Sequence, residues 1–254
     1  MDKWLLAGST VLVVLGGGLG LLALQRRQRS VWTLVSMLGA FVLQLAFLGV
    51  RGEARGACPL GDYGEILAFL AWSLVLFYLL VGPAYRLSLL GLFTAPVVVV
   101  FQLVALVPGM MMENPERVAE VNAWGEAHSA FSVLSYGAFA LAAVAGLMFL
   151  VLNHQLKEHH LNTGLFAVLP PVRALSVSVV RLTILGVVIL TVGMVSGFLM
   201  KREGGKAHLS AAIMIWASYL ALLGVHFWRG LTPLRMSLGV ISLFVLSLIV
   251  FALV

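Results

Sequence analysis

Residues 128–152 read HSAFSVLSYGAFALAAVAGLMFLVL, twenty-five positions without one Asp, Glu, Lys or Arg. The hydrocarbon core of a bilayer is about 30 Å thick and takes about 20 helical residues to cross. This stretch is long enough. Working outward from it, seven more apolar runs of similar length stand at 4–24, 31–50, 66–82, 87–107, 182–200, 209–227 and 236–254. The expected fold is all-α: a polytopic membrane protein with eight transmembrane helices in one bundle, forming a single integral-membrane domain over residues 1–254.

Composition agrees. Hydrophobic residues make up 61% of the 254 positions and charged residues 10%, and mean hydropathy is +1.07. A soluble domain of this size carries a charged skin nearer a quarter of its residues, so lipid is the solvent here. A β-barrel would show short alternating segments, whereas these runs are long and unbroken. The single cysteine, Cys58, rules out an intrachain disulfide and a Cys-x-x-Cys redox motif. The net charge of +6 is read as loop residues anchoring topology. No basic stretch interleaves with aromatics as single-strand binding requires, so no nucleic-acid partner is expected; membrane lipid is. The N-terminal apolar run is too long for a signal peptide and its basic cluster follows it, so it reads as a retained first span.

Orientation follows from the basic residues. Loops after spans 1, 3, 5 and 7, with the mouth of span 6, hold Arg26, Arg27, Arg29, Arg86, Lys157, Arg173, Arg181, Arg229 and Arg235. The other side holds Lys3, Arg51, Arg55, Arg117, Lys201, Arg202 and Lys206. The richer side faces the cytoplasm. Both termini are therefore expected on the outer, periplasmic side of the cell's inner membrane. Pro170-Pro171 breaks the chain ahead of span 6, and residues 172–181 read as a short interfacial helix. The loop 108–127 carries Glu113, Glu116, Glu120 and Glu126. It has helical character after Asn114-Pro115 and reads as a surface cap.

Two histidines lead apolar runs: His128 in WGEAHSAFSVLSY and His208 in GGKAHLSAAIMIWASY. In an eight-span topology both enter the membrane from the same, outer side. Imidazole suits iron, and two histidines can close both axial positions of a haem. With metal–imidazole bonds of roughly 2 Å, the two ring nitrogens would stand about 4 Å apart across the metal. His128 is followed at helical spacing by Ser132, Ser135 and Tyr136, a narrow polar stripe expected to face the bundle interior. Trp124 and Trp216 are expected near a bound porphyrin. The remaining histidines carry weaker signals. His154, His159 and His160 cluster with Lys157 after span 5, and His154 and His226 sit at helix C-termini, where a partly charged imidazole meets the negative dipole end.

Other features read as packing. Gly193-Met-Val-Ser-Gly197, preceded by Gly186, is a G-x-x-x-G face, and Gly16-Gly17-Gly18 with Gly20 is read the same way. Gln44 and Gln102 are expected to hydrogen-bond between helices. No Asp, Glu or Lys lies within a span, which argues against a proton-coupled transporter. No Ser–His–Asp, His-Glu-x-x-His or P-loop signature is present, and nothing assigns the chain an independent enzyme activity.

From Trp124 onward the chain resembles the cytochrome c assembly protein family, the CcsA/HemX-like group. The stretch HSAFSVLSYGAFALAAVAGLMFLVLNHQLKEH is similar to that family's histidine-led helix. LPPVRALSVSVVRLTILGVVILTVGMVSG is similar to its Leu-Pro segment and Gly-rich helix, and HLSAAIMIWASYLALL to its Ser…Trp…Tyr helix. The resemblance covers about residues 124–254, and the first four spans by topology only. It implies haem (heme b) held between two outward-facing histidines, matched here by His128 and, nearby, His208, for delivery to apocytochrome c. The tryptophan-rich loop of the full synthetases is absent, which places the chain with a shorter, HemX-like branch. The expected function is thus a haem-handling membrane protein assisting cytochrome c biogenesis. Its partners would be haem and apocytochrome c or another cytochrome c maturation protein. The alternative is a non-catalytic membrane partner or regulator of a tetrapyrrole-biosynthesis enzyme or another membrane complex.

Overall fold

A computed structural model describes residues 2–26, 31–84, 90–157, 172–200 and 206–253, with side chains at all of these except 82–84, 157, 172, 206–209 and 251–253. Arg27, Arg29, Arg86, His159, His160, Pro170, Pro171, Lys201 and Arg202 lie outside the described residues. Among the described residues there are eight helices and no strand: α1 Asp2–Gln25, α2 Val31–Arg55, α3 Tyr63–Ala84, α4 Leu90–Ala105, α5 Ala123–Lys157, α6 Val172–Leu199, α7 Lys206–Arg229 and α8 Pro233–Leu253. Seven are long and apolar enough to cross a membrane. The eighth, α4, has 16 residues and carries Pro96 inside it; at 1.5 Å per residue it is about 24 Å long. The protein is a multi-pass helical membrane protein.

Two expectations are corrected. Residues 172–181 are not a separate interfacial helix. They are the first third of α6, which runs 28 residues unbroken. Pro170 and Pro171 precede the helix in sequence, and no proline occurs within it. Its hydroxyls bond back to their own helix, as Ser178 Oγ does to Ala174 O at 2.9 Å and Thr183 Oγ1 to Val179 O at 2.8 Å. The second correction concerns the loop after Asn114-Pro115, which forms no helix. Its backbone is tied elsewhere: Val118 N donates to Arg55 O at 2.9 Å.

The chain divides into two compact units, one built from α1–α4 and one from α5 (up to His154) with α6–α8. In the first, α1 packs on α2 and α4, and α3 on α2 and α4. Its core includes Leu6, Phe47, Leu48, Ala68, Ala105 and Met111. Gln102 Nε2 donates to Ser9 Oγ at 2.7 Å, and Ser9 Oγ donates to Ala40 O at 3.2 Å, so three helices are joined by polar contacts as expected for Gln102. Gln44 is buried, yet neither of its amide atoms meets a protein partner.

One end of this unit holds a buried ion cluster. Arg51 and Arg55 stand four apart on the last turns of α2, on one face. Asp62 caps α3, its Oδ1 accepting from Glu65 N at 2.8 Å, and Glu65 reaches back to accept from Gly61 N at 2.9 Å. This Asp-x-x-Glu start works as a capping box does. The Glu65 carboxylate lies between both guanidiniums, 2.8 Å from Arg51 Nε and 2.7 Å from Arg55 Nε. Arg51 also pairs with Asp62 at 3.0 Å and with Asp2 of α1 at 3.1 Å, and donates to Met112 O at 2.9 Å. Glu65 and Arg51 are 0% and 1% exposed; ions buried this far need partners on every side, and these have them.

In the second unit, α5 is the central helix. Its span is 83% buried, against 22–50% for the other three. Cβ atoms built at Gly186, Gly193 and Gly197 of α6 would meet Phe139, Ser132 and His128 of α5. Numbers rise on one helix as they fall on the other, so α5 and α6 are antiparallel. Helix α7 packs back on α6, with Trp216 Nε1 donating to Thr191 Oγ1 at 2.9 Å. Helix α5 touches α7 directly: the rings of Phe139 and Tyr219 stack with centroids 3.8 Å apart and planes 3° from parallel. Ser237 and Ile241 of α8 close the unit against Gly146.

Candidate functional site

His128 is the sixth residue of α5, and the start of that helix is secured locally. Asn122 Oδ1 accepts from Trp124 N at 3.1 Å and from Gly125 N at 3.4 Å, the N-cap arrangement. Glu126 in the first turn suits the positive end of the helix dipole. The capped turn delivers His128 half-buried onto α6.

There its Nδ1 lies 2.8 Å from the carbonyl oxygen of Gly193. A carbonyl only accepts, so Nδ1 carries the hydrogen. In the neutral ring Nε2 then keeps its lone pair. Metal-binding histidines use this device: the second nitrogen is tied to a backbone carbonyl, which sets tautomer and ring orientation. Gly197, one turn along α6, has no side chain against the ring. A Cβ there would fall 2.7 Å from Nδ1, 3.1 Å from Cε1 and 3.3 Å from Cγ.

The polar stripe below His128 faces inward. Ser135 and Tyr136 are buried, and Ser135 Oγ donates to Ser132 O at 2.6 Å, within its own helix. Ser132 Oγ is buried without a protein partner. Trp124, one turn before His128, is 51% exposed. Trp216 is half-buried and its N–H is committed to Thr191.

His208 is the third residue of α7; its side chain lies outside the described residues. Its backbone level follows from helix register. Phe139 comes eleven residues after His128, and Tyr219 eleven residues after His208. At 1.5 Å per residue, each histidine position stands about 16 Å along its helix from the shared ring stack. Helices α5 and α7 run parallel, both being antiparallel to α6, so positions 128 and 208 come to the same level of this unit.

Near the other end of the same unit is a cavity of about 350 Å³, lined among others by Arg181, Ile184, His226, Met236 and Ser237. His226 Nδ1 and Ser237 Oγ are buried there without protein partners. Among the described residues no three or more of His, Cys, Asp and Glu are grouped to hold a metal ion.

Sequence reasoning missed two arrangements. The ion cluster around Glu65 left only local marks, Arg51 and Arg55 at i, i+4 and Asp62 and Glu65 at cap spacing. The glycines of α6 were visible as a close-approach face, but nothing in their spacing says that the approaching group is an imidazole.

The family model described as Cytochrome C assembly protein matches residues 60–254, from the loop before α3 to the end of α8. Relatives with the description "Cytochrome c biogenesis protein CcsA" include three from different organisms. That of Thermosynechococcus vestitus is 26% identical over 256 residues, covering 80% of each chain. That of Trichormus variabilis is 31% identical over 124 residues, 46% of this chain and 35% of the relative. That of Pyropia yezoensis is 30% identical over 143 residues, 54% and 44% of the two chains. The chain thus spans about a third of the Trichormus relative's length.

Proposed function

The chain belongs to the cytochrome c assembly protein family, and on that footing we propose that it handles haem during cytochrome c biogenesis, with His128 and His208 as the two axial ligands. The observation that carries this reading is the imidazole of His128, held through Nδ1 by the Gly193 carbonyl at 2.8 Å. The nitrogen left with a lone pair, Nε2, is the one a metal would take. The matching level of position 208 supports the second ligand. When bound, haem supplies the redox-active iron; this chain supplies ligation, orientation and a lipid-facing scaffold. The exposed indole of Trp124 is proposed as an aromatic wall at the mouth. Trp216, anchored through Thr191, is proposed as a deeper one.

The site is proposed to open on the outer side of the inner membrane, with both chain termini on that side. The recipient would be apocytochrome c or another cytochrome c maturation protein. The absorption spectrum of the purified protein tests the reading. A Soret band that falls at least tenfold in both His128→Ala and His208→Ala is the expected result. A colourless wild-type protein that co-purifies with a tetrapyrrole-biosynthesis enzyme would replace this reading with that of a non-catalytic membrane partner.

A further inference from the structure

We infer that Gly197 is a positioning residue for His128: its bare backbone is the slot that holds the imidazole in the orientation a metal needs. The inference rests on the haem-ligand reading and deepens it.

Three glycines of α6 face α5, and they do different things. A Cβ at Gly186 would come 2.5 Å from the Phe139 ring, deep in the seam. One at Gly193 would come 3.1 Å from Ser132 N and 3.4 Å from Phe131 Cβ. These two let helices approach, as small residues do in membrane bundles. Gly197 alone meets an imidazole, at 2.7 Å from Nδ1. That nitrogen is the one bonded to the Gly193 carbonyl. Any side chain at 197 pushes the ring off the slot and lengthens a 2.8 Å bond that fades within a few tenths of an ångström. Without that bond, neither the tautomer nor the ring plane is set, and Nε2 is not presented. The carbonyl belongs to the backbone, so no substitution at 193 removes it. Position 197 is where a side chain can switch the arrangement off.

The test uses the full chain, purified in detergent, in five variants. His128→Ala checks the parent reading first: it must lower the Soret band. Gly197→Ala is then expected to weaken haem binding at least tenfold, or to turn a low-spin spectrum into a high-spin one. Gly239→Ala on α8, whose crowding falls on Leu222 of α7 at 2.8 Å rather than on α5, is expected to keep the wild-type spectrum. In His128→Gly, added imidazole is expected to restore the low-spin spectrum. In the double variant His128→Gly with Gly197→Ala, where no native ring remains to clash, restoration is expected to need at least tenfold more imidazole. Nitrogen-15 NMR of histidine-labelled protein without haem gives an independent readout. It should show a protonated Nδ1 for His128 in the wild type and its loss in Gly197→Ala.

A wild-type spectrum and tautomer in Gly197→Ala would overturn the inference. So would an equal spectral change in Gly239→Ala, or equal imidazole rescue in the single and double variants. If His128→Ala leaves the Soret band intact, the haem reading fails, and the tautomer measurement judges the slot alone.

Discussion

Glu65 and His128 show how much a single side chain can depend on partners far away in sequence. Glu65 is fully buried between Arg51 and Arg55. Removing one partner of such a cluster leaves an uncompensated charge and costs about 3–5 kcal/mol. Glu65→Ala should therefore lower the melting temperature of the detergent-solubilised protein sharply, and a melting curve within a degree or two of wild type would refute the cluster's structural weight. Trp216→Phe removes the indole N–H bond to Thr191 together with part of a half-buried ring. It should cost about 1 kcal/mol in the same assay while preserving helix content by circular dichroism. The sequence showed that these residues were present and what local spacing they had. It could not show that Arg51 finds Asp2, Asp62, Glu65 and the Met112 carbonyl, because those pairs form only after four separate segments converge.

The helices were the most legible level. A membrane-spanning run must satisfy its own backbone hydrogen bonds, so long apolar stretches announce themselves without help from neighbours. Helix ends were less legible. The apolar run covers residues 128–152, but α5 extends from Ala123 to Lys157, since polar flanks continue a helix that a cap has already started. Pro170-Pro171 breaks the chain and suggests a separate short helix over residues 172–181; a run without internal proline instead carries α6 unbroken to Leu199. A direct contact between α5 and α7 is the Phe139–Tyr219 stack, and periodicity alone gives no hint of it. Tyr219→Ala should destabilise the protein by about 3–5 kcal/mol. It should also loosen any ligand held jointly by the leading ends of the two helices. Unchanged thermal stability in Tyr219→Ala would show that the stack does not hold them together.

At the scale of the whole molecule, composition fixed the solvent and the helix count, and the family match extends the resemblance from residues 124–254 back to residue 60. The proposed topology, with both termini outside the inner membrane, predicts that a periplasm-active reporter fused after Val254 is active and a cytoplasm-dependent one silent. The reverse pattern would turn the proposed haem site to the cytoplasm. The central claim is that positions 128 and 208 share one iron. Low-temperature electron paramagnetic resonance of the oxidised, haem-loaded protein tests it most directly. The account predicts a low-spin signal typical of two imidazole ligands, lost in His128→Ala and equally in His208→Ala. A signal that survives either substitution would contradict it.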